Sequence, residues 1–228
     1  MEEFQNNWYA DFYNKVNVTA TETSIFSKFL HWALERGHKS NYGLDILEVG
    51  SNRGEHVKYV KDDWKFLGSY LATDIRSLGS KELNKLTALG VSYQEQNVEK
   101  LTFPDNHFDR VISTCLFHHI ANPIKGFQEV RRVTKIGGNI DILLPNDPGL
   151  MYRSLRRLTT IRKASELNLK NVAELVHALE HRNHYLALSV IAAKVFEGDL
   201  IKTFGFPFYF DIYNLNAFTV LRITKQLL

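Results

Sequence analysis

With 228 residues, 44% hydrophobic and 23% charged, the chain suits one domain with embellishments built on a sizeable core. A net charge of +3 is too small to imply nucleic-acid binding, and the single cysteine, Cys115, excludes an internal disulfide and a cysteine-based zinc site. No apolar run is long enough to span a bilayer, and the start Met1-Glu2-Glu3-Phe4-Gln5 lacks the parts of a signal peptide, so a reducing, cytoplasmic location is expected.

Trp8, Tyr9, Phe12 and Tyr13 recur at helical spacing and predict an amphipathic helix packed on the domain. Thr23 or Ser24 would cap a second helix through Ile25, Phe29, Leu30 and Ala33, ended by Gly37. Residues 44–49 read as the first strand, and a helix is expected soon after Gly54, including His56 to Val60. The second strand ends on Asp74. A helix over 76–89 and a short strand over 91–96 follow. Strands at 108–114 and 140–144 bracket a helix over 124–134, which Lys135-Ile136-Gly137-Gly138 would close. Beyond Pro145 come a basic stretch (151–163), a helix over 168–179, an apolar segment over 186–196 and two last strands, 199–204 and 217–223.

The stretch that organises the chain is Leu44 to Glu55. A short apolar run ends at Glu48, on the carboxyl edge of a sheet where open α/β folds bind ligands, and a glycine-spaced turn follows. Gly50 and Gly54 let the backbone turn sharply and lie against a ligand. Asn52 stands between them and tolerates a left-handed backbone better than most residues. Two ligand classes compete for such a turn. A dinucleotide pyrophosphate wants a third glycine, and this chain has Glu55 there, whose carboxylate would face the phosphates. Asp74, at the end of the second strand, can accept both hydroxyls of a ribose and serves either class.

Glu48-x-Gly50-x-Asn52-x-Gly54 resembles the first motif of class I S-adenosylmethionine-dependent methyltransferases, with Asn52 at the middle glycine. Asn97-Val98-Glu99-Lys100-Leu101-Thr102-Phe103-Pro104 resembles the family's Gly-Asp-Ala-Glu-x-Leu-Pro-Phe segment, with Asn97 at the Asp position. Phe108-Asp109-Arg110-Val111 and Leu116-Phe117-His118-His119-Ile120-Ala121-Asn122-Pro123 resemble its fourth strand and the loop that follows. The segments stand in the family's order over roughly residues 44–145.

The resemblance implies a Rossmann-like, doubly wound, seven-stranded and mostly parallel sheet with its last strand antiparallel and helices on both faces. It implies one domain: a helical lid or packing segment over 1–43, a cofactor core over 44–145 and an acceptor segment over 146–228. It also implies S-adenosylmethionine as cofactor. Gly50, Ser51, Asn52 and Gly54 would bracket the methionine part, Asp74 the ribose, and Asn97, Val98 and Glu99 the adenine, with Glu48, Ile75 and Thr114 also among the cofactor-binding residues. An amide at Asn97 offers both donor and acceptor to the adenine edge. The acceptor is expected to be a small molecule such as a sugar, a glycan precursor or a secondary metabolite. A hydroxyl acceptor needs a base; the candidates are His118, His119, His181 and His184, with His119 and His184 taken as the catalytic residues. Arg153, Arg156, Arg157, Arg162 and Lys163 would either form a solvated face or dock an anionic acceptor. No metal is expected. A non-catalytic binding protein on the same fold and a nicotinamide-dependent oxidoreductase are the alternatives.

Overall fold

The computed structural model describes residues 25–38, 40–60 and 68–227, so the helix expected around Trp8–Tyr13 and the Thr23 and Ser24 caps lie outside the described residues. Strand β1 (Asp45–Val49) pairs in parallel with β2 (Ser69–Asp74) on one side and β4 (Phe108–Thr114) on the other. β3 (Ser92–Glu95) extends the sheet beyond β2, and β5 (Thr134–Pro145) extends it beyond β4. β6 (Leu200–Phe206) and β7 (Phe218–Thr224) form an antiparallel pair, with β7 lying between β5 and β6 and antiparallel to both. The seven strands run in the order β3-β2-β1-β4-β5-β7-β6, so the order reverses between β1 and β4. In an open α/β sheet that reversal opens the crevice where ligands bind.

Both faces of the sheet are covered, which is why β1 reads as a continuous apolar run apart from Glu48. Leu47 and Val49 join a cluster with Phe127, Val130, Leu188 and Ala192, from helices α3 (Pro123–Val133) and α7 (Tyr185–Val195). Ile46 joins a second cluster with Leu34 of helix α1 (Ile25–Glu35) and Leu86 of helix α2 (Ser80–Ala88). Alternate residues of one strand therefore feed opposite layers. Helix α3 starts one residue before the expected Ile124: Asn122 caps it by accepting from the Lys125 N–H at 3.1 Å, and Pro123 fills the first turn.

Two expectations need correction. Gly54 leads into a 3-10 turn, Glu55–Tyr59, not an α-helix, because the chain leaves the glycine turn tightly wound. The Lys135–Gly138 segment does not lie outside the sheet. β5 begins at Thr134 directly after α3 and absorbs it as a bulge, where the register jumps from Phe108↔Thr134 to Arg110↔Asn139 and Gly137 takes φ 77°. The basic stretch is one helical run: α4 (Leu150–Arg156), a π-turn (Arg157–Ile161) and α5 (Arg162–Glu166), packed on α6 (Lys170–Glu180) through Ile161, Ala164, Ala173 and Val176.

Candidate active site

The turn after β1 emerges at the reversal point. Gly50, Asn52 and Gly54 all have left-handed backbones, with φ of 66°, 51° and 71°. Asn52 thus does the conformational work of a glycine, as its chemistry predicts. Its backbone N–H donates to Asp74 Oδ2 at 3.0 Å, and the Ser51 N–H donates to the Thr73 carbonyl at 2.9 Å. The turn is thereby held against the end of β2. The Gln96 N–H donates to the Asp74 carbonyl at 2.8 Å, which brings the Asn97 segment to the same edge. Asp74, Ser51–Gly54, Asn97–Glu99 and Thr114 therefore share the carboxyl edge of β3, β2, β1 and β4.

Each expected cofactor residue has a definite setting. Glu48 is fully buried. Its Oε2 accepts from the Tyr70 hydroxyl at 2.8 Å, and its Oε1 has no hydrogen-bond partner among the described residues. Burial pushes its carboxyl up to about 8, against the Tyr70 hydrogen bond, so it is held neutral at pH 7. Glu48 supports the strand end and offers no open surface. Ile75 is 68% exposed beside Asp74, an apolar side chain left bare at the rim. Asn97 Oδ1 accepts from the Glu99 N–H at 2.9 Å, an Asx-type turn, and Val98 is buried. Glu99 Oε1 accepts from the backbone N–H of both Ala121 and Asn122 at 2.9 Å, tying this loop to the one after β4. Thr114 is half-buried at the last position of β4.

Arg76 lies across Asp74. Its Nε donates to Asp74 Oδ1 at 3.4 Å, its backbone N–H donates to the same oxygen at 3.2 Å, and its Nη2 donates to Asn52 Oδ1 at 3.0 Å. At the same strand ends Ser51 Oγ and Ser113 Oγ are buried without hydrogen-bond partners among the described residues. A carboxylate at the end of β2, a left-handed glycine-type turn and unsatisfied hydroxyls at one edge are a donor and acceptor set suited to a polar ligand.

The histidines gather at the neighbouring loop ends. His119 Nδ1 donates to the Glu180 carbonyl at 2.9 Å, because a carbonyl can only accept, and this leaves Nε2 as the basic nitrogen. His118 is buried, and burial holds it well below the ordinary imidazole range. His184 instead caps α7, accepting weakly from the Ala187 N–H, and its exposed ring turns back on its own helix. His181, which the sequence marked only in passing, donates from Nδ1 to Asp147 Oδ2 at 2.8 Å, and burial lowers it to about 4. His177 Nε2 reaches the same oxygen at 3.1 Å. Asp147 and His177 were missed by the sequence reading, although the i,i+4 spacing of His177 and His181 could have signalled a shared helix face. Burial alone would raise the Asp147 carboxyl, but the hydrogen bonds from His177 and His181 hold it well below the carboxylate range. In the basic stretch, Arg156 is spent on Glu174 Oε2 and the Ala173 carbonyl, both at 3.0 Å, and Arg162 on Glu166 at 3.3 Å. A depression of about 560 Å³ lined by Asp105, Arg131, Arg132, Lys194 and Lys225 lies at the opposite sheet edge. There Arg131 pairs with Asp199, Arg132 with Asp105 and Lys194 with Glu197.

Residues 47–142, which carry this edge, match a family profile described as "Methyltransferase domain". Over these residues the chain is similar to class I S-adenosylmethionine-dependent methyltransferases. The ubiquinone/menaquinone biosynthesis C-methyltransferase UbiE of Stenotrophomonas maltophilia (strain R551-3) is 31% identical over 106 residues, 44% of this chain and 42% of that protein. A tRNA U34 carboxymethyltransferase of Nautilia profundicola is 22% identical over 127 residues, 55% of this chain and 42% of that protein. The chain thus spans less than half the length of these curated relatives. A Thermotoga maritima structure described as a SAM-dependent methyltransferase, possible histamine N-methyltransferase, superposes with a TM-score of 0.60. It is 15% identical, with 96% of this chain and 94% of that one covered. That likeness carries the methyltransferase fold to nearly the whole chain. No helix among the described residues is long and apolar enough to cross a membrane.

Proposed function

We propose that the protein binds S-adenosylmethionine at the carboxyl edge of β1, β2 and β4 and transfers its methyl group to a small-molecule acceptor beside the His118-His119 loop. The observation that carries this reading is the left-handed Gly50-Asn52-Gly54 run at the strand-order reversal, hydrogen-bonded to the Asp74 carboxylate. The bound cofactor supplies a methyl on a positive sulfur, a leaving group good enough that alignment is most of the protein's task.

In this reading the Asp74 carboxylate takes the two ribose hydroxyls, which requires the exposed Arg76 side chain to swing aside. Asn97 and the backbone of Val98–Glu99 meet the adenine edge, and Ile75 lies against its face. The turn Gly50–Gly54 lets the backbone approach the methionine part without a Cβ in the way. His119 is the favoured base for a hydroxyl acceptor. Its Nδ1 is fixed on Glu180 and its Nε2 is free to take a proton. His184 is less suited, since its ring serves as a helix cap.

Calorimetric titration with S-adenosylhomocysteine tests the reading. The wild type is expected to bind, and Asp74→Ala to bind at least tenfold more weakly, because a carboxylate accepting two hydroxyls contributes roughly 1.5–3 kcal/mol. No binding by a folded wild type would move the assignment to a non-catalytic relative of the fold.

A further inference from the structure

Outside the cofactor edge, one cluster converges on a single point. Asp147 follows β5, His177 lies in the last turn of α6, and His181 is the residue that ends α6. Their ligand-capable atoms all lie within 4.8 Å of one another: Oδ2 of Asp147 is 3.1 Å from His177 Nε2 and 2.8 Å from His181 Nδ1. Donors held about 2.0–2.1 Å from a tetrahedral zinc-type ion stand roughly 3.3 Å apart, so the spacing is already near what such an ion sets. The scaffold is firm. His177 and His181 project from one helix face, and the His181 N–H donates to the His177 carbonyl at 2.9 Å. The Asp147 carbonyl accepts from the Tyr185 N–H at 3.1 Å, which ties it to the start of α7. A second observation points the same way. The His118 ring lies 4.3 Å from that of His181, is buried, and its Nδ1 has no hydrogen-bond partner among the described residues. A buried, unpaired nitrogen beside such a cluster is the kind of atom that a metal-bound water satisfies.

We propose that Asp147, His177 and His181 form a site for a divalent transition-metal ion of the zinc class. Two imidazoles and one carboxylate are a donor set suited to such ions, not to calcium or magnesium, which favour all-oxygen shells. Three protein donors leave a fourth position for water or an acceptor oxygen. The ion's chemistry would be to bind that oxygen and lower the pKa of its proton. This site is independent of the methyl-transfer reading, and its test needs no cofactor.

The experiment uses untagged full-length protein, stripped with chelator, loaded with Zn²⁺ or Co²⁺ and dialysed. Metal analysis is expected to give one ion per chain, and the Co²⁺ form to show the intense visible bands of a four-coordinate site. His177→Ala and His181→Ala should each weaken binding at least tenfold, while His184→Ala, outside the cluster, keeps the wild-type content. Should either alanine variant fail to fold, Asp147→Asn, which preserves shape and removes the charge, decides: it too should lose the ion. A wild type without stoichiometric metal, or an ion that survives Asp147→Asn or the histidine changes unchanged, overturns the proposal and leaves a hydrogen-bonded Asp–His cluster.

Discussion

Asn52 and Glu48 are two residues whose chemistry has been bent by position. Asn52 holds φ 51° where the family resemblance places a glycine, and its side chain earns that backbone by donating from Nδ2 to Glu55 Oε1 at 3.2 Å. Asn52→Gly is therefore expected to change stability by less than about 1 kcal/mol, whereas Asn52→Val should cost about 1–2 kcal/mol, since a β-branched residue is poorly tolerated there. Chemical denaturation of the two variants separates them; equal losses would contradict the conformational account. Arg76 competes with any ligand for Asp74. Because its side chain is 54% exposed, the pair is worth at most about 1 kcal/mol, so Arg76→Ala should bind S-adenosylhomocysteine as well as the wild type or up to about fivefold more tightly. A tenfold loss would make Arg76 a ligand contact. Glu48 contributes one part of the pH dependence, opposed below about pH 6.5 by the buried His118 and His181, whose lowered values favour the folded state as pH rises. The folded-state pKa of Glu48, raised to about 8, lies above the ordinary carboxylate value of 4.5, so between those values the folded state binds the extra proton. Its contribution to stability is fully present below about pH 4.5 and falls as pH rises to about 8. Glu48→Gln keeps a partner for Tyr70 and should flatten that slope in urea melts at pH 5, 6.5 and 8; an unchanged slope would place the titration elsewhere.

At the scale of elements, α1 is fastened to the sheet by charge as much as by apolar contact. Arg110, fully buried on β4, donates to Asp141 of β5 at 2.7 Å, and its Nη1 donates to Glu35 at 3.1 Å and to Asn41 at 2.9 Å. His56 Nε2 meets Glu35 Oε1 at 2.9 Å, and Arg222 of β7 binds both Asp141, at 2.6 Å, and the Leu34 carbonyl, at 2.7 Å. Burial would raise the Glu35 carboxyl, but the His56 hydrogen bond and the Arg110 charge hold it well below its usual range. Removing one partner strands the others in the interior. Glu35→Ala is thus expected to cost about 3–5 kcal/mol, far more than deletion of a surface pair such as Arg162–Glu166. Equilibrium unfolding of both variants makes the comparison; similar small losses would show that water reaches the network.

Across the molecule, what could be read beforehand followed from local chemistry repeated in order. Acid-ended apolar runs and a glycine-type turn each carry their own signal, and the family resemblance of those segments implied the mostly parallel sheet whose last strand, β7, is antiparallel. Asp74 and Asn52 were legible for the same reason. The Glu35–Arg110–Asp141 network and the Asp147–His177–His181 cluster were not, because each joins residues distant in sequence whose meeting depends on how the helices close over the sheet. That His184 caps α7 was not legible either, because a histidine before a helix can serve as a base or as a cap. The role of Arg156 likewise turned on Glu174, which only the packing of α4 against α6 brings within reach.

The Glu99 carboxylate, which grips the N–H groups of Ala121 and Asn122, joins the Asn97–Glu99 loop to the loop that bears His119. Under the proposed reading, a nucleoside held by the first loop would set the position of the second, on which the acceptor depends. The expected outcome is an ordered kinetic scheme, with the nucleoside entering first and leaving last. Its signature would be inhibition by S-adenosylhomocysteine that is competitive toward the methyl donor and noncompetitive toward the acceptor.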